Sequence, residues 1–199
     1  MAYVIIGLGN PGPEYAKTRH NAGRMALELL AKEEGFEDFK LRKLAHASVS
    51  VGTIAGEKVT LIIPEVSMNL SGKAAPAFVK SVKAAKNLLV VRDDLDLPLG
   101  TLKMTVHGRG SGGHKGVESI MRTLKTKEFA QLKIGISVST PKGKTKKPNG
   151  EEKVVKHVIG KFSPAEEPVL KKSLKKSAQS IRTFVEGSIE KAMLETNTH

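Results

Sequence analysis

Gly7-Leu8-Gly9-Asn10-Pro11-Gly12-Pro13-Glu14-Tyr15, continuing to Thr18-Arg19-His20-Asn21, is the stretch on which the reading of the fold turns. Just before it, Val4-Ile5-Ile6 is a short apolar run that stops where the glycines begin, the mark of a buried strand. After it, residues 22–30 carry apolar side chains at helical spacing: Met25, Leu29 and Leu30, with Ala26 and Leu27 beside them. A strand, a glycine- and proline-rich turn and a helix opening at His20-Asn21 are therefore predicted. Side chains of such a turn lie at the C-terminal edge of a strand, where open α/β sheets place their sites.

Gly7-x-Gly9-x-x-Gly12 also matches the dinucleotide fingerprint, but its context argues against that reading. In the fingerprint the last glycine opens the helix. Here Pro11 and Pro13 flank it, and the helical pattern starts near residue 21. Proline lacks an N–H, so the loop is a poor cradle for a pyrophosphate.

Working outward, residues 47–54 and 58–63 are β-rich runs joined by Ala55-Gly56-Glu57 and predict an antiparallel hairpin ended by Pro64. A loop follows at 65–69, then a helix capped by Ser71 and running to about Val82, with Pro76 inside it. Strands are predicted at 87–91, 102–106 and 132–138, and a helix at 116–124 after the glycines of 107–113. Residues 140–153, rich in Gly, Pro and Lys, read as a mobile basic loop before a short helix at 154–159. Ser163-Pro164-Ala165-Glu166 reads as the capped start of one long helix reaching about Leu194. The fold class is α/β: a single-domain three-layer sandwich whose mixed, mostly parallel twisted sheet lies between helices. With 199 residues, one domain with a sizeable core is expected over the whole chain.

Composition narrows the function. Cysteine is absent, which excludes disulfides and thiolate metal sites. Neither a signal segment nor a stretch approaching the ~20 apolar residues of a membrane span is present, so a cytoplasmic protein is expected. Thirty-three Lys and Arg against twenty Asp and Glu give a net charge of +13, which favours a polyanionic partner. Two Tyr, six Phe and no Trp argue for phosphate contacts rather than base stacking.

G-L-G-N-P-G-x-x-Y-x-x-T-R-H-N resembles the signature of the bacterial-type peptidyl-tRNA hydrolases. Three further stretches agree in order and spacing: Met68-Asn69-Leu70-Ser71-Gly72, Asp93-Asp94-Leu95-Asp96-Leu97-Pro98 and Gly112-Gly113-His114-x-Gly116. The resemblance covers nearly the whole chain. It implies hydrolysis of the ester joining a peptide to the 3′ end of tRNA, with tRNA as partner and with no DNA, membrane, metal or organic cofactor. A monomer is expected. The competing class is a non-catalytic RNA-binding protein on the same fold, such as the plant organellar splicing factors.

Ester hydrolysis needs a base for water and donors for the developing oxyanion. His20 is the candidate base, since neutral imidazole is abundant at cytosolic pH and still accepts a proton. The resemblance gives Asp93 the role of accepting from one ring N–H of His20. Asp93, Asp94 and Asp96 together also suggest a cation, but 95–98 reads as a structural turn rather than a ligand loop.

By the same resemblance Asn10 faces the peptide part and Asn69 the attacking water and the tRNA end. Tyr15 meets the terminal nucleotide or aminoacyl end, and Ser67 and Met68 belong to the same substrate loop. His114 is either a structural residue at a helix start or a phosphate contact, and Lys103, Arg109 and Lys133 resemble the phosphate-binding side. Three positions depart from the family: Ser67 stands where a bulky apolar residue is common, Lys115 replaces the usual asparagine, and Gln131 stands where arginine is common.

Overall fold

The computed structural model describes residues 2–139 and 145–198. The elements in chain order are β1 (Ala2–Gly7), α1 (Ala22–Glu33), β2 (Lys40–Arg42), β3 (Ala47–Ile54), β4 (Glu57–Pro64), α2 (Val82–Ala85), β5 (Leu88–Pro98) and β6 (Leu102–Thr105). They continue with α3 (Lys115–Leu124), β7 (Ala130–Ser139), β8 (Thr145–Lys146), α4 (Glu151–Val158), α5 (Glu167–Glu186) and α6 (Ile189–Asn197). The strands form one sheet in the order β2-β3-β4-β1-β5-β7-β6, with β8 on β7. β4, β1, β5 and β7 run parallel at its centre, and the hairpin β3–β4 is antiparallel.

Adjacent residues of the central strands feed opposite cores, as the period of two requires. Ile5, Leu89 and Val91 pack with Ala26, Leu27 and Leu30 of α1 and with Ile181 and Phe184 of α5. Ile6, Leu88 and Val90 pack instead with Val117 and Ile120 of α3 and with Ala74 and Ala75. The predicted sandwich is therefore the observed one. On α1, Met25 and Leu29 are half-buried, and Ala22, Ala26, Leu27 and Leu30 form the buried face. The reason is Gly23: a Cβ there would lie 2.2 Å from the Val91 carbonyl oxygen. That glycine lets the helix start sit directly on the C-terminal edge of β1 and β5.

Four expectations are corrected. The helix at 71–82 is a 3-10 segment, Met68–Ala74, followed by the short α2. Ser71 caps nothing; its hydroxyl donates to the Met68 carbonyl. Tertiary contact overrides propensity here, because Gly72 lies so close to α3 that a Cβ would meet the Ser119 carbonyl oxygen at 2.2 Å. Second, 95–98 is not a turn but the end of β5, which stays paired with β7 through a register shift between Asp94 and Pro98. Third, the last long helix is two helices. α5 starts at Glu167, and Ser188 caps α6 by accepting from the Lys191 N–H. α6 folds back so that the Asn197 amide bonds both N–H and C=O of Met104, covering the open edge of β6. Fourth, the expected loop 140–153 contains β8 and the first turn of α4, while 140–144 lie outside the described residues.

Candidate active site

The site forms where β1 ends beside β5, which runs on past it. Leu8 donates to the Val91 carbonyl at 2.9 Å, and Arg24 of α1 donates to the Leu8 carbonyl at 3.0 Å. The 3-10 turn Arg19–Asn21 is thereby held over the edge of β5, where Asp93 emerges. Asn21 fastens the glycine loop to this turn: its side chain accepts from Asn10 N–H at 2.8 Å and donates to Asn10 O at 3.0 Å.

Asp93 is the centre of the arrangement. It is 2 % exposed, and its Oδ1 meets His20 Nδ1 at 2.9 Å and His114 Nε2 at 3.0 Å. The tautomers follow from the other partners. Gly116 N–H donates to His114 Nδ1, so the proton of neutral His114 is on Nε2 and points at Asp93. His20 donates from Nδ1, which leaves its Nε2 as a free base. The rings lie 5.1 Å apart between centroids.

Burial works to raise the Asp93 pKa, but the charges and hydrogen bonds of His20 and His114 prevail and hold it far below the usual carboxylate range. Burial lowers the basicity of both imidazoles. At His20 the Asp93 charge and hydrogen bond outweigh it, so the pKa ends above 6.5 despite opposition from Lys115. At His114 burial wins, and the ring stays neutral. The two histidines on one carboxylate are thus shifted in opposite directions, His20 upward and His114 downward.

Ligand atoms of His20, Asp93 and His114 lie within 4.8 Å of one another, the donor set of a cation site. As placed, ring protons rather than lone pairs face the carboxylate, so a metal would first have to displace two hydrogen bonds. The three acidic groups of β5 do not converge: Asp94 pairs with Arg92 at 3.1 Å, and Asp96 with Lys147 at 2.6 Å.

Around this centre lies a cavity of about 140 Å³ lined by His20, Asp93, His114, Lys115 and the valines of α4. Asn10 and the 68–72 segment sit beside it. Asn10 Oδ1 accepts from Met68 N–H at 2.8 Å, which leaves the Asn10 Nδ2 end for a ligand carbonyl. Met68 is buried, and its sulfur packs so close to Gly116 that a Cβ there would meet it at 2.6 Å. Ser67 and Asn69 are exposed next to it, and Tyr15 is half-buried in the glycine loop.

A second, basic cavity of about 460 Å³ adjoins the first, sharing Gly112, and is lined by Lys103, Thr105, Arg109, Lys133 and Asn197. Register explains its charge. Arg92 of β5 is opposite Lys133 of β7, which is opposite Lys103 of β6, so three cations occupy one row across three strands. Burial, then Arg92, lowers the Lys133 pKa against the pull of Asp94.

The structure therefore brings together His20, Asp93 and His114, and separately Lys103, Arg109 and Lys133, whereas the sequence had set His114 apart from the first group. Of the two readings of His114, the structural one at a helix start fits the structure. Both its nitrogens are engaged and it is buried, so it is the structural cap of α3 and a partner of Asp93 rather than a phosphate contact. Lys115 is 64 % exposed and reaches Glu151 of α4 at 3.4 Å. Gln131 is not a weakened basic residue but a connector: it accepts from Arg92 Nε and donates to the carbonyls of Arg109 and Gly110. Arg92, Arg19 and the α4 valines were missed. The only signals for the two arginines were their places beside Asp93 and His20.

The family model described as Peptidyl-tRNA hydrolase matches residues 4–199. A Peptidyl-tRNA hydrolase of Cytophaga hutchinsonii is 38% identical over 199 residues, covering 100% of this chain and 99% of its own length. That of Aquifex aeolicus is 40% identical over 191 residues, 96% of this chain and 93% of its own. The crystal structure of peptidyl-tRNA hydrolase from Acinetobacter baumannii superposes with a TM-score of 0.87 at 32% identity, over 100% of this chain and 95% of that one.

Proposed function

Because the chain belongs to the peptidyl-tRNA hydrolase family, and so cleaves the ester between a peptide and tRNA, we propose that His20 is the general base of that cleavage. His20 Nε2 takes a proton from water as the water oxygen attacks the ester carbonyl. The resulting imidazolium is stabilised by Asp93 and returns the proton to the departing 3′ oxygen of the tRNA. Peptide carboxylate and free tRNA leave. The observation that carries this is the 2.9 Å contact of His20 Nδ1 with Asp93, which fixes the reactive nitrogen and raises its basicity.

Asn10 supplies Nδ2 to a substrate carbonyl, its other end being fixed by Met68 N–H. Asn69 and Ser67 on the neighbouring turn, together with Tyr15, bind the tRNA end and the aminoacyl part. The row Lys103, Lys133 and the exposed Arg109 bind phosphate, since cations so close together are stabilised by an anion between them. Met68 shapes the loop through its backbone and packing. Lys115, at the start of α3 and on the cavity wall, donates to a phosphate or to the developing oxyanion.

The chain acts as one domain, as a monomer in the cytoplasm, where its substrate arises. The non-catalytic RNA-binding reading gains nothing from the geometry, because a binder has no need of two histidines held on one buried carboxylate. Among the described residues no helix is long and apolar enough to cross a membrane. Incubation with N-blocked and with free aminoacyl-tRNA tests the whole reading. Release of tRNA from the blocked form alone is expected; no release from either would overturn it.

A further inference from the structure

We propose that Arg19 and Glu166 form a clamp that sets helix α4 over the catalytic cavity, making Arg19 a positioning residue for substrate. This rests on reading the His20 cavity as the hydrolytic site. Arg19 precedes His20 on the same 3-10 turn and is 8 % exposed. Its Nη2 reaches both carboxylate oxygens of Glu166 at 2.8 and 2.7 Å, and Nη1 donates to the carbonyls of Lys161 and Gly160. The guanidinium stacks 4.9 Å from the centroid of Phe162. Backbone contacts run alongside: Arg19 N–H donates to Gly160 O at 3.0 Å, and Thr18 bridges to Lys161.

Everything Arg19 grips lies in the connection between α4 and α5. Glu166 is in turn fixed by accepting from Ser163 N–H at 2.7 Å. Immediately before that connection, Val154, Val155 and Val158 of α4 line the cavity facing His20 and Asp93.

Helix α4 needs such an anchor. It has eight residues, too few to be stable alone, and only Val158 is buried. Its other ties are weak. Lys115–Glu151 is exposed, as is Lys147–Asp96 ahead of the helix, and such pairs are worth about 0–1 kcal/mol. One half-buried hydrogen bond, from His157 Nε2 to Ile136 O, and the packing of Val154 and Val158 on the core are its further contacts among the described residues. The mostly buried arginine–carboxylate pair, one nitrogen on both oxygens, is the strongest of these contacts and the one tied to the catalytic turn. Lysine in its place keeps the charge but loses the fork that serves two carbonyls and a carboxylate at once.

The test uses the full-length variants Arg19→Lys and Glu166→Gln, with hydrogen exchange, thermal unfolding and steady-state hydrolysis of N-blocked aminoacyl-tRNA. The expected result is faster exchange confined to the amides of 151–162 and a KM raised roughly tenfold or more. The midpoint of the pH–rate profile should stay at the wild-type value, because the Asp93–His20 contact is untouched. Unchanged exchange in 151–162 overturns the clamp. Faster exchange spread over β1, β5 and α1 overturns it in favour of a general structural role. A fall in kcat with a moved pH midpoint overturns it in favour of an action through His20. Should the unaltered protein prove unable to hydrolyse the ester, the reading of the site fails, while exchange in 151–162 still decides whether Arg19 holds α4.

Discussion

The two adjoining cavities treat charge in opposite ways. Around Asp93, burial is nearly complete, and one carboxylate oxygen takes two ring protons at 2.9 and 3.0 Å. Along Lys103, Lys133 and Arg109, positive groups gather, and among the described residues Asp94, 3.6 Å from Lys133, is their acidic partner. The first arrangement is finished before substrate arrives, as a proton-transfer centre must be, since reorganising it during the reaction would add to the barrier. The second is completed only by a polyanion. Changes in the first should therefore act on rate and its pH dependence, and changes in the second on affinity and its salt dependence.

The largest effect should come from His20→Ala. Loss of the base should reduce kcat by about two to four orders of magnitude, the usual share of acid–base catalysis, while tRNA affinity and its salt slope stay near wild type. Single-turnover hydrolysis and filter binding on the same preparation check both halves. Near wild-type turnover would break the comparison at its root.

Asp93→Asn comes next. In the wild type the His20 pKa is raised above 6.5, so activity should fall as pH drops through a midpoint above that value, the protonated ring being unable to act as base. With a neutral amide at 93 the opposing influences remain, namely burial and Lys115, and the midpoint should drop below 6.5. The plateau rate should fall as well, because the amide can present an N–H to the ring and disturb its tautomer. A pH–rate profile that keeps its midpoint would show that Asp93 is not coupled to His20.

How much of this was legible depended on distance along the chain. The strand, the glycine loop and the helix start were readable because they are contiguous and each local signal agreed with the next, while the roles of Asn10 and His20 came from the resemblance. Asp93 was readable only through the resemblance: 93 follows a strand like many acidic residues, and nothing local shows that it meets residue 20. The role of His114 was not readable, since its partner lies 21 residues away and its burial depends on Met68 and Leu8 packing over Gly116. The Arg19–Glu166 pair spans 147 residues and left no pattern at all. In the fold, the error at 71–82 came from trusting a cap residue where close approach of Gly72 to α3 decides the backbone. The split of the last helix at Gly187–Ser188 was marked by a glycine and a capping serine, and both were overlooked in favour of helical periodicity.

The basic side is sharpened by Lys103→Ala and Arg109→Ala. Each removes one exposed cation, so the slope of log affinity against log salt should become shallower by roughly one unit per lost contact, with kcat unchanged at saturating substrate. Binding isotherms over a range of potassium chloride concentrations measure it. An unaltered slope in both variants would move the phosphate track elsewhere on the surface.

The smallest effect is expected from Lys115→Asn, and it falls between the two regions. Lys115 stands on the wall of the catalytic cavity, yet it is exposed and shares a weak pair with Glu151. Among the influences on His20 it comes after burial and the charge and hydrogen bond of Asp93, and it opposes protonation. Removing the ammonium should therefore move the pH–rate midpoint upward, by less than Asp93→Asn moves it downward. Any phosphate contact made by the same group would appear as a shallower salt slope. An asparagine adds an acceptor that lysine lacks, so a rise in kcat alongside the shifted midpoint would show that a water or ribose hydroxyl needs that acceptor. If midpoint, slope and kcat all keep their wild-type values, Lys115 belongs to neither region.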